Sequence, residues 1–137
     1  MLDYASVKEG AQIVLSTSSD ENHPPENIID GLDETFWATT GLYPQEVIIR
    51  FKSPINISSV AISCFNVQKI ALEGSEQDNS DKFVLLSEQE FDRDDHHKQN
   101  EEIRVEGNKQ VHCLRLLITS GYDHFVAVYN VKVNGRG

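Results

Sequence analysis

Basic residues and cysteines are scarce in this 137-residue sequence, and each scarcity excludes a class of function. Twelve Lys and Arg stand against 22 Asp and Glu, which gives a formal net charge of −10. That balance argues against a nucleic acid partner and against anionic membranes, because both carry negative charge. It suits solubility and favours a protein partner whose surface has basic patches.

Two cysteines, Cys64 and Cys113, are present, and each lies in an apolar segment. No Cys-x-x-Cys or His-Cys cluster indicates zinc. No apolar run approaches the ~20 residues that a membrane-spanning helix needs. The first residues, Met1 to Tyr4, show no basic and apolar pattern of a signal peptide. We therefore expect an intracellular protein without membrane insertion, whose cysteines are free thiols rather than a disulfide.

The apolar residues follow the pattern of short β-strands separated by polar turns, with little helical periodicity. One strand face is expected to carry Val60, Ile62 and Cys64, and another Leu114, Leu116 and Ile118. Strands are predicted at 11–16, 46–51, 59–65, 67–72, 82–86, 101–105, 111–119 and 125–133. About eight strands at this spacing predict an all-β sandwich or jelly roll, in a single domain over residues 1–137.

The connections between strands give expectations for pairing. The tight turn at 120–124 predicts that 111–119 and 125–133 are antiparallel neighbours. Segment 67–72 is expected to pair next after 59–65, with Val67 or Ile70 and Leu72 toward apolar neighbours. The polar stretches predict exposed loops or turns at 73–81, 91–99 and 106–108.

Residues 23–37 stand out as a turn rich in oxygen atoms. Pro24-Pro25 cannot continue a central strand, and Asp30-Gly31 is a strong turn signal. Trp37, the single tryptophan, would fasten the loop to the core. Oxygen-bearing side chains follow the turn closely: Asn27, Asp30, Asp33, Glu34 and Thr35. Such a loop suits Ca²⁺, although the same residue types also form ordinary turns by bonding their own backbone.

Other candidate chemistry is weaker. His96-His97 follows two aspartates, but adjacent residues on an extended chain point to opposite faces, so a solvated loop is favoured over a metal site. Trp37 could form a sugar-stacking platform with Phe36 and Tyr43, yet a buried role is favoured. No nucleophile beside a histidine and no glycine-rich phosphate loop is present. We therefore expect that the protein is not an enzyme.

The motif Asn27-x-x-Asp30-Gly31-x-x-x-Thr35-x-Trp37 resembles the mark of the galactose-binding-like, or discoidin-type, β-sandwich superfamily. A longer set of segments resembles a family of small galactose-binding-like subunits of intraflagellar transport complex B, which also carries a small heat-shock name: 17–31, 34–37, 39–41, 44–46, 99–103 and 123–125. The resemblance runs nearly end to end and is weakest between 73 and 98. Nothing resembles an α-crystallin domain, so chaperone activity is not expected.

The resemblance implies a galactose-binding-domain-like jelly roll of two antiparallel sheets. It implies a non-enzymatic subunit that forms a heterodimer with a Rab-like small GTPase, joins other complex B subunits and supports protein transport. The location would be the cilium or flagellum, with a cytoplasmic pool. Tyr43, Tyr122 and Phe125 are candidate anchors for the partner, or equally core residues. A calcium-supported carbohydrate-binding module is the alternative function.

The resemblance also implies a structural Ca²⁺ in the loop. Asn27 would give its backbone carbonyl, Asp30 its carboxylate, and Thr35 its hydroxyl and carbonyl. In sugar-binding relatives the last strand reaches the ion through a carbonyl followed by a carboxylate. Tyr129 and Asn130 occupy the matching positions here, and the amide of Asn130 makes a weaker ligand than a carboxylate.

Overall fold

Eight antiparallel strands make up almost all of the regular structure in the computed structural model, which describes residues 3–17, 21–39, 43–77, 82–94, 96–106 and 110–137. The strands are β1 (Gln12–Ser16), β2 (Trp37–Ala38), β3 (Gln45–Phe65), β4 (Val67–Ser75), β5 (Val84–Glu90), β6 (Gln99–Arg104), β7 (Gln110–Gly121) and β8 (Ala127–Arg136). Short 3-10 turns at Val7–Glu9 and Pro25–Ile29 precede β1 and β2. Within the described ranges, no helix is long and apolar enough to cross a membrane.

The 21-residue strand β3 belongs to both layers of the fold. Its first part, 45–50, pairs with β1 and β7, and β7 continues to β4 and then β5. Its last part, 59–64, pairs with β6 and β8, and β8 continues to β2. The pairing with β7 shifts register between Arg50 and Ile55, around Pro54, which cannot donate to a ladder. The result is the predicted antiparallel jelly-roll sandwich.

The apolar core lies between the two layers, where alternate residues of each strand meet. Val60, Ile62 and Cys64 are buried on β3, and Leu114, Leu116 and Ile118 are buried on β7, as the period-2 pattern predicted. Trp37 on β2 is fully buried as well, which confirms its predicted role as a core residue. Each fully buried Val, Leu or Ile contributes roughly 1.5–3 kcal/mol relative to an exposed position.

The predicted pairing of the last two long strands is wrong. β7 and β8 do not pair with each other but flank β3 on opposite sides, so the loop between them crosses from one layer to the other. The predicted pairing of 67–72 with 59–65 is also wrong, because β4 pairs with β7 and β5. Asn66, in the left-handed region at φ 67°, redirects the chain between layers, and its carbonyl accepts from the Tyr122 amide at 2.8 Å. The predicted burial of Val67, Ile70 and Leu72 is confirmed.

Several predicted boundaries also change. The strands predicted at 46–51 and 59–65 are one continuous strand, and the short strand β2 was not predicted. The polar loop predicted from 73 begins later, because β4 continues through Ser75, which is buried. Residues 78–81 of that loop, Gly107 and Asn108 of the turn predicted at 106–108, and Asp95 lie outside the described residues.

The loop predicted to be exposed over 91–99 is buried at both ends. Phe91 is 3% exposed and Gln99 is 4% exposed. The Gln99 side chain accepts from the Val67 amide at 3.0 Å and donates to the carbonyls of Val67 and Asp92 at 2.8 Å each. A polar side chain can be buried when its donors and acceptors are satisfied, which sequence position alone does not reveal.

Both cysteines are buried thiols that are not joined in a disulfide, as expected. Cys64 faces the core, and its thiol lies 3.5 Å from Oε1 of Gln99. Burial, with a smaller contribution from the charge of Glu101, raises the pKa of Cys64 to about 12. The thiol therefore stays protonated at neutral pH.

Candidate metal centre

The oxygen-rich turn is built by the 3-10 turn at Pro25–Ile29 and the residues that follow it. Pro24 is extended and Pro25 takes the first helical position, which suits a residue without an amide donor. Ile28 and Ile29 are buried, so they hold the turn against the core. Gly31 takes φ 81°, the left-handed conformation that a glycine adopts without steric cost.

The predicted ligands from this turn converge on the hydroxyl of Thr35. That hydroxyl donates to Oδ2 of Asp30 at 2.7 Å and lies 3.4 Å from the backbone carbonyl oxygen of Asn27. Oδ1 of Asp30 accepts from the amide of Leu32 at 2.9 Å. The side-chain amide of Asn27 donates to the carbonyl of Phe36 at 3.0 Å, so it braces the turn while the backbone carbonyl faces Thr35.

The last strand reaches the same loop through Asn130. The side chain of Asn130 on β8 lies 3.4 Å from that of Asp33, between Nδ2 and Oδ1. Asn130 pairs with Ser63 of β3, and the register shifts in the next step along the ladder. The structure therefore brings Asn27, Asp30 and Thr35 together and joins Asn130 to the loop through Asp33.

A lysine that is distant in the sequence, Lys98, holds the loop at Asp33. The ammonium of Lys98 donates to the backbone carbonyl of Asp33 at 2.7 Å and lies 4.1 Å from the ring centroid of Tyr129. The ring of Phe36 packs against Tyr129 at 5.1 Å, and His23 stacks on Phe36 at 4.0 Å. Cation–π and aromatic contacts of this kind contribute about 0.5–1.5 kcal/mol each. Sequence reasoning missed Lys98, because 65 residues separate it from Asp33 and no local pattern links the two.

The donor set fits a hard cation. Across the described ranges, no three His, Cys, Asp or Glu side chains are grouped so that they could hold a metal ion. The predicted set is of another kind, with one carboxylate from Asp30, one hydroxyl from Thr35 and backbone carbonyls. Oxygen donors of mixed charge are what Ca²⁺ accepts in proteins, whereas transition metals favour imidazole and thiolate.

The histidine pair belongs to a local turn closed by Asp94. The amides of His96 and His97 both donate to Oδ1 of Asp94 at 3.0 Å, which makes a local turn. The hydrogen bond from the His96 amide is the main cause that lowers the pKa of Asp94 below its ordinary value. Both imidazoles belong to exposed residues, in agreement with the predicted solvated loop.

The candidate partner anchors differ in exposure. Phe125 is 46% exposed, whereas Tyr122 is partly buried and donates from its hydroxyl to the carbonyl of Phe91 at 2.6 Å. Tyr43 donates to the carbonyl of Asp123 at 2.7 Å. Burial and then the charge of Asp123 raise the pKa of Tyr43. Phe125 is therefore the one of the three that a partner could reach most directly.

The fold and the turn define a class of protein. A family model for the F5/8 type C domain matches residues 12–131. A family 32 carbohydrate-binding module of Clostridium perfringens, solved with galactose, superposes with a TM-score of 0.80 at 16% identity, over 96% of this chain and 98% of that one. A chitosan-binding module from Paenibacillus superposes with a TM-score of 0.83 at 14% identity, over 98% and 100% of the two chains. At such identities the likeness shows the fold alone, and the class is the discoidin-type, F5/8 type C domain.

Relatives that match 98% of this chain identify the family within this class. The mouse and human proteins called intraflagellar transport protein 25 homolog are each 40% identical over 134 residues, which is 98% of this chain and 93% and 92% of theirs. Intraflagellar transport protein 25 of Chlamydomonas reinhardtii is 38% identical over 135 residues, which is 98% of this chain and 70% of that protein. The chain belongs to the intraflagellar transport protein 25 family, and the resemblance inferred from the sequence is confirmed.

Proposed function

We propose that this chain is a non-enzymatic subunit of intraflagellar transport complex B that binds a Rab-like small GTPase as a heterodimer. In this role it supports protein transport in the cilium or flagellum, with a cytoplasmic pool, and contacts other complex B subunits. The observation that carries the proposal is the 40% identity, over 98% of the chain, to proteins named for intraflagellar transport. That the partner is a Rab-like GTPase is inferred from membership of the same family.

The chemistry of the buried groups supports a binding role rather than catalysis. Burial raises the pKa of Cys64 to about 12, so its thiol is a poor nucleophile at neutral pH. Cys113 is also buried. Gln99, which contacts the thiol of Cys64, is engaged by Val67 and Asp92. These groups stabilise the sandwich and leave its outer surface for contacts with other proteins.

Surface charge and interface size limit the kind of partner. A stable heterodimer buries about 800 Å² on each partner, with an apolar centre and a polar rim. The net charge of −10 favours a partner with a basic face and speeds their encounter.

We further propose that the oxygen-rich turn holds a structural Ca²⁺. The carbonyl of Asn27, the carboxylate of Asp30, and the hydroxyl and carbonyl of Thr35 would supply the ligands from the turn. Asn130, or the carbonyl of Tyr129, would add a contact from β8. The ion would offset the charge of Asp30 and fasten the turn to the last strand. A structural role is favoured over signalling because one short turn supplies most ligands and contains no hinge.

Affinity purification tests the partner proposal. The tagged full chain is expressed in ciliated cells and recovered for mass spectrometry. We expect a Rab-like GTPase in a near-stoichiometric amount together with other complex B subunits. Recovery of neither would contradict the adaptor function, that is, the role of a complex B subunit that binds a small GTPase. A glycan array tests the carbohydrate-binding alternative, which predicts calcium-dependent binding of galactosides.

Melting curves in Ca²⁺ and in EGTA test the metal proposal. At Ca²⁺ concentrations of about 100 times Kd, binding to the folded state stabilises it by ~2.7 kcal/mol, so the melting temperature should rise. Asp30→Asn should abolish most of this rise. Asp94→Asn, which alters an aspartate of another polar turn, is the matched control and should retain the rise in full. An identical response of the wild type in Ca²⁺ and EGTA would exclude the site.

A further inference from the structure

A groove of about 420 Å³ is bounded by strand β1 and by the two 3-10 turns at Val7–Glu9 and Pro25–Ile29. It is lined by Val7, Ala11, Gln12, Ile13, Glu26, Ile29 and Asp30. Ala11 and Ile29 are buried and form an apolar floor, whereas Val7 on the rim is 55% exposed. Its volume lies in the range of ~300–1,000 Å³ typical of ligand sites. The groove can therefore receive at least one apolar side chain from another molecule.

Exposed apolar residues concentrate on the elements around this groove. Val7, Val14, Leu15 and Leu32 are 55%, 44%, 44% and 56% exposed. Val7 lies in the 3-10 turn before β1, and Leu32 follows the turn at Asp30. Val14 and Leu15 lie in β1. Together these residues are four of the seven large apolar residues that stand exposed in the described part of the chain. Val7 lines the groove itself and the other three lie on the elements that bound it, so these elements carry more exposed apolar residues than the rest of the described chain.

Strand β1 also has a free edge. It pairs with β3 from Gln12 opposite Arg50 to Ser16 opposite Val47. Among the described residues no strand pairs with its other side. The backbone N–H and C=O groups on that side can accept an added strand, and added strands are a common mode of peptide recognition.

The charge of the groove indicates what such a strand would carry. Two of the lining residues, Glu26 and Asp30, are acidic, and none of the described lining residues is basic. Both carboxylate oxygens of Asp30 already accept bonds, from Leu32 and Thr35, whereas Glu26 is exposed. A lysine or arginine beside an apolar residue would match this arrangement. The net charge of −10 acts in the same direction.

We propose that the groove beside β1 docks an extended segment of a partner protein. The segment adds to the free edge of β1, places an apolar side chain over Ala11 and Ile29, and sets a lysine or arginine against Glu26. The proposed function enters only in assigning this segment to a subunit of the transport complex. Binding of the segment itself is testable without that assignment.

The first experiment titrates the ¹⁵N-labelled full chain with a synthetic peptide that alternates lysine and valine, and with a matched peptide in which glutamate replaces lysine. We expect saturable shifts of the Gln12–Ser16 amides with the lysine peptide, and binding roughly tenfold weaker with the glutamate peptide. Shifts that do not saturate, that are equal for both peptides, or that are confined to β5 would overturn the proposal.

Two matched variants sharpen this test. Val7→Lys should weaken binding of the lysine peptide roughly fivefold or more, because it places a charge beside the apolar floor and repels the lysines of the peptide. Val84→Lys alters a valine of similar exposure, 48% against 55%, on the edge strand β5 and should leave the affinity unchanged. Glu26→Gln, at an exposed position, should reduce the preference for lysine over glutamate. Equal effects of the two valine variants would refute docking at β1.

The same variants, expressed as tagged full chains in ciliated cells, separate this proposal from the adaptor function. Loss of the GTPase or of another complex B subunit from Val7→Lys but not from Val84→Lys supports both. If both variants retain the GTPase and the other complex B subunits like the wild type, docking of a complex subunit in the groove is refuted while the adaptor function stands. If the wild type recovers no transport subunit although the lysine peptide shifts the β1 amides, the adaptor function fails while the groove assignment stands.

Discussion

Replacement of Gln99 by methionine should be among the costliest single changes that leave the volume of the protein interior unchanged. The Gln99 side chain is 4% exposed and joins three segments: the start of β4, the loop before β6, and β6 itself. Methionine has a similar shape but no comparable donor or acceptor. The amide and carbonyl of Val67 and the carbonyl of Asp92 would each lose a bond of 2.8 to 3.0 Å.

The size of the effect follows from those three bonds. Each contributes about 1 kcal/mol net, so the three together account for about 3 kcal/mol. Water can replace the lost bond at the Asp92 carbonyl, because Asp92 is exposed, whereas the two groups of Val67 stay buried. We therefore expect Gln99→Met to lower the free energy of unfolding by about 3 kcal/mol.

Equilibrium unfolding in urea measures this loss, with the fluorescence of Trp37 as the probe, because Trp37 is the single tryptophan and is fully buried. Asn100→Met is the matched control, since Asn100 is the next residue on β6 and is exposed. It should change the free energy of unfolding by no more than about 0.5 kcal/mol. A loss below about 1 kcal/mol for Gln99→Met, or one equal to the control, would refute the account of the buried amide.

Three further perturbations test other parts of the structure. Gly135→Ala would drive a Cβ into the carbonyl oxygen of Asn56 and should lower the free energy of unfolding in urea by roughly 3 kcal/mol. Gly31→Ala, at φ 81° with open space around it, should lower it by about 1 kcal/mol. Equal losses for the two variants would contradict this reasoning. Cys64 has an ordinary pKa of 9.0 and a folded pKa of about 12, so stability should fall as pH rises above 9, by at most ~1.4 kcal/mol per pH unit. The melting temperature of Cys64→Ala should depend less on pH between 8 and 10, and an equal slope would contradict the assignment. Lys98→Met should lower the free energy of unfolding by about 1 kcal/mol, with faster amide exchange in the turn as a local readout; unchanged exchange would argue that the lysine does not fasten it.

Local patterns predicted the strands better than they predicted the partners of the strands. The alternation of Val60, Ile62 and Cys64 was informative because a strand with one buried face must repeat every two residues. The pairing of β8 with β3 had no such local cause. It depends on the loop at 122–126 crossing between layers, and a short loop in the sequence resembles an ordinary hairpin connection.

The candidate metal centre shows the same division. Asn27, Asp30 and Thr35 lie within nine residues and form a motif, so their convergence could be inferred before the fold was known. Lys98 could not be inferred, because its contact with Asp33 exists only once β6 and the turn are placed side by side. Gln99 belongs to the same case, since a polar residue is buried only where the assembled fold supplies its hydrogen-bond partners.

The continuous strand β3 has a consequence for how this molecule bears load. One continuous 21-residue strand is hydrogen-bonded in both layers, so the layers can separate only if the ladders of β3 with β7 or with β8 are broken. A pulling force on β1 is passed to β3, with which β1 pairs, and through β3 to the ladders with β6 and β8. Under tension the two layers would therefore yield together rather than one after the other.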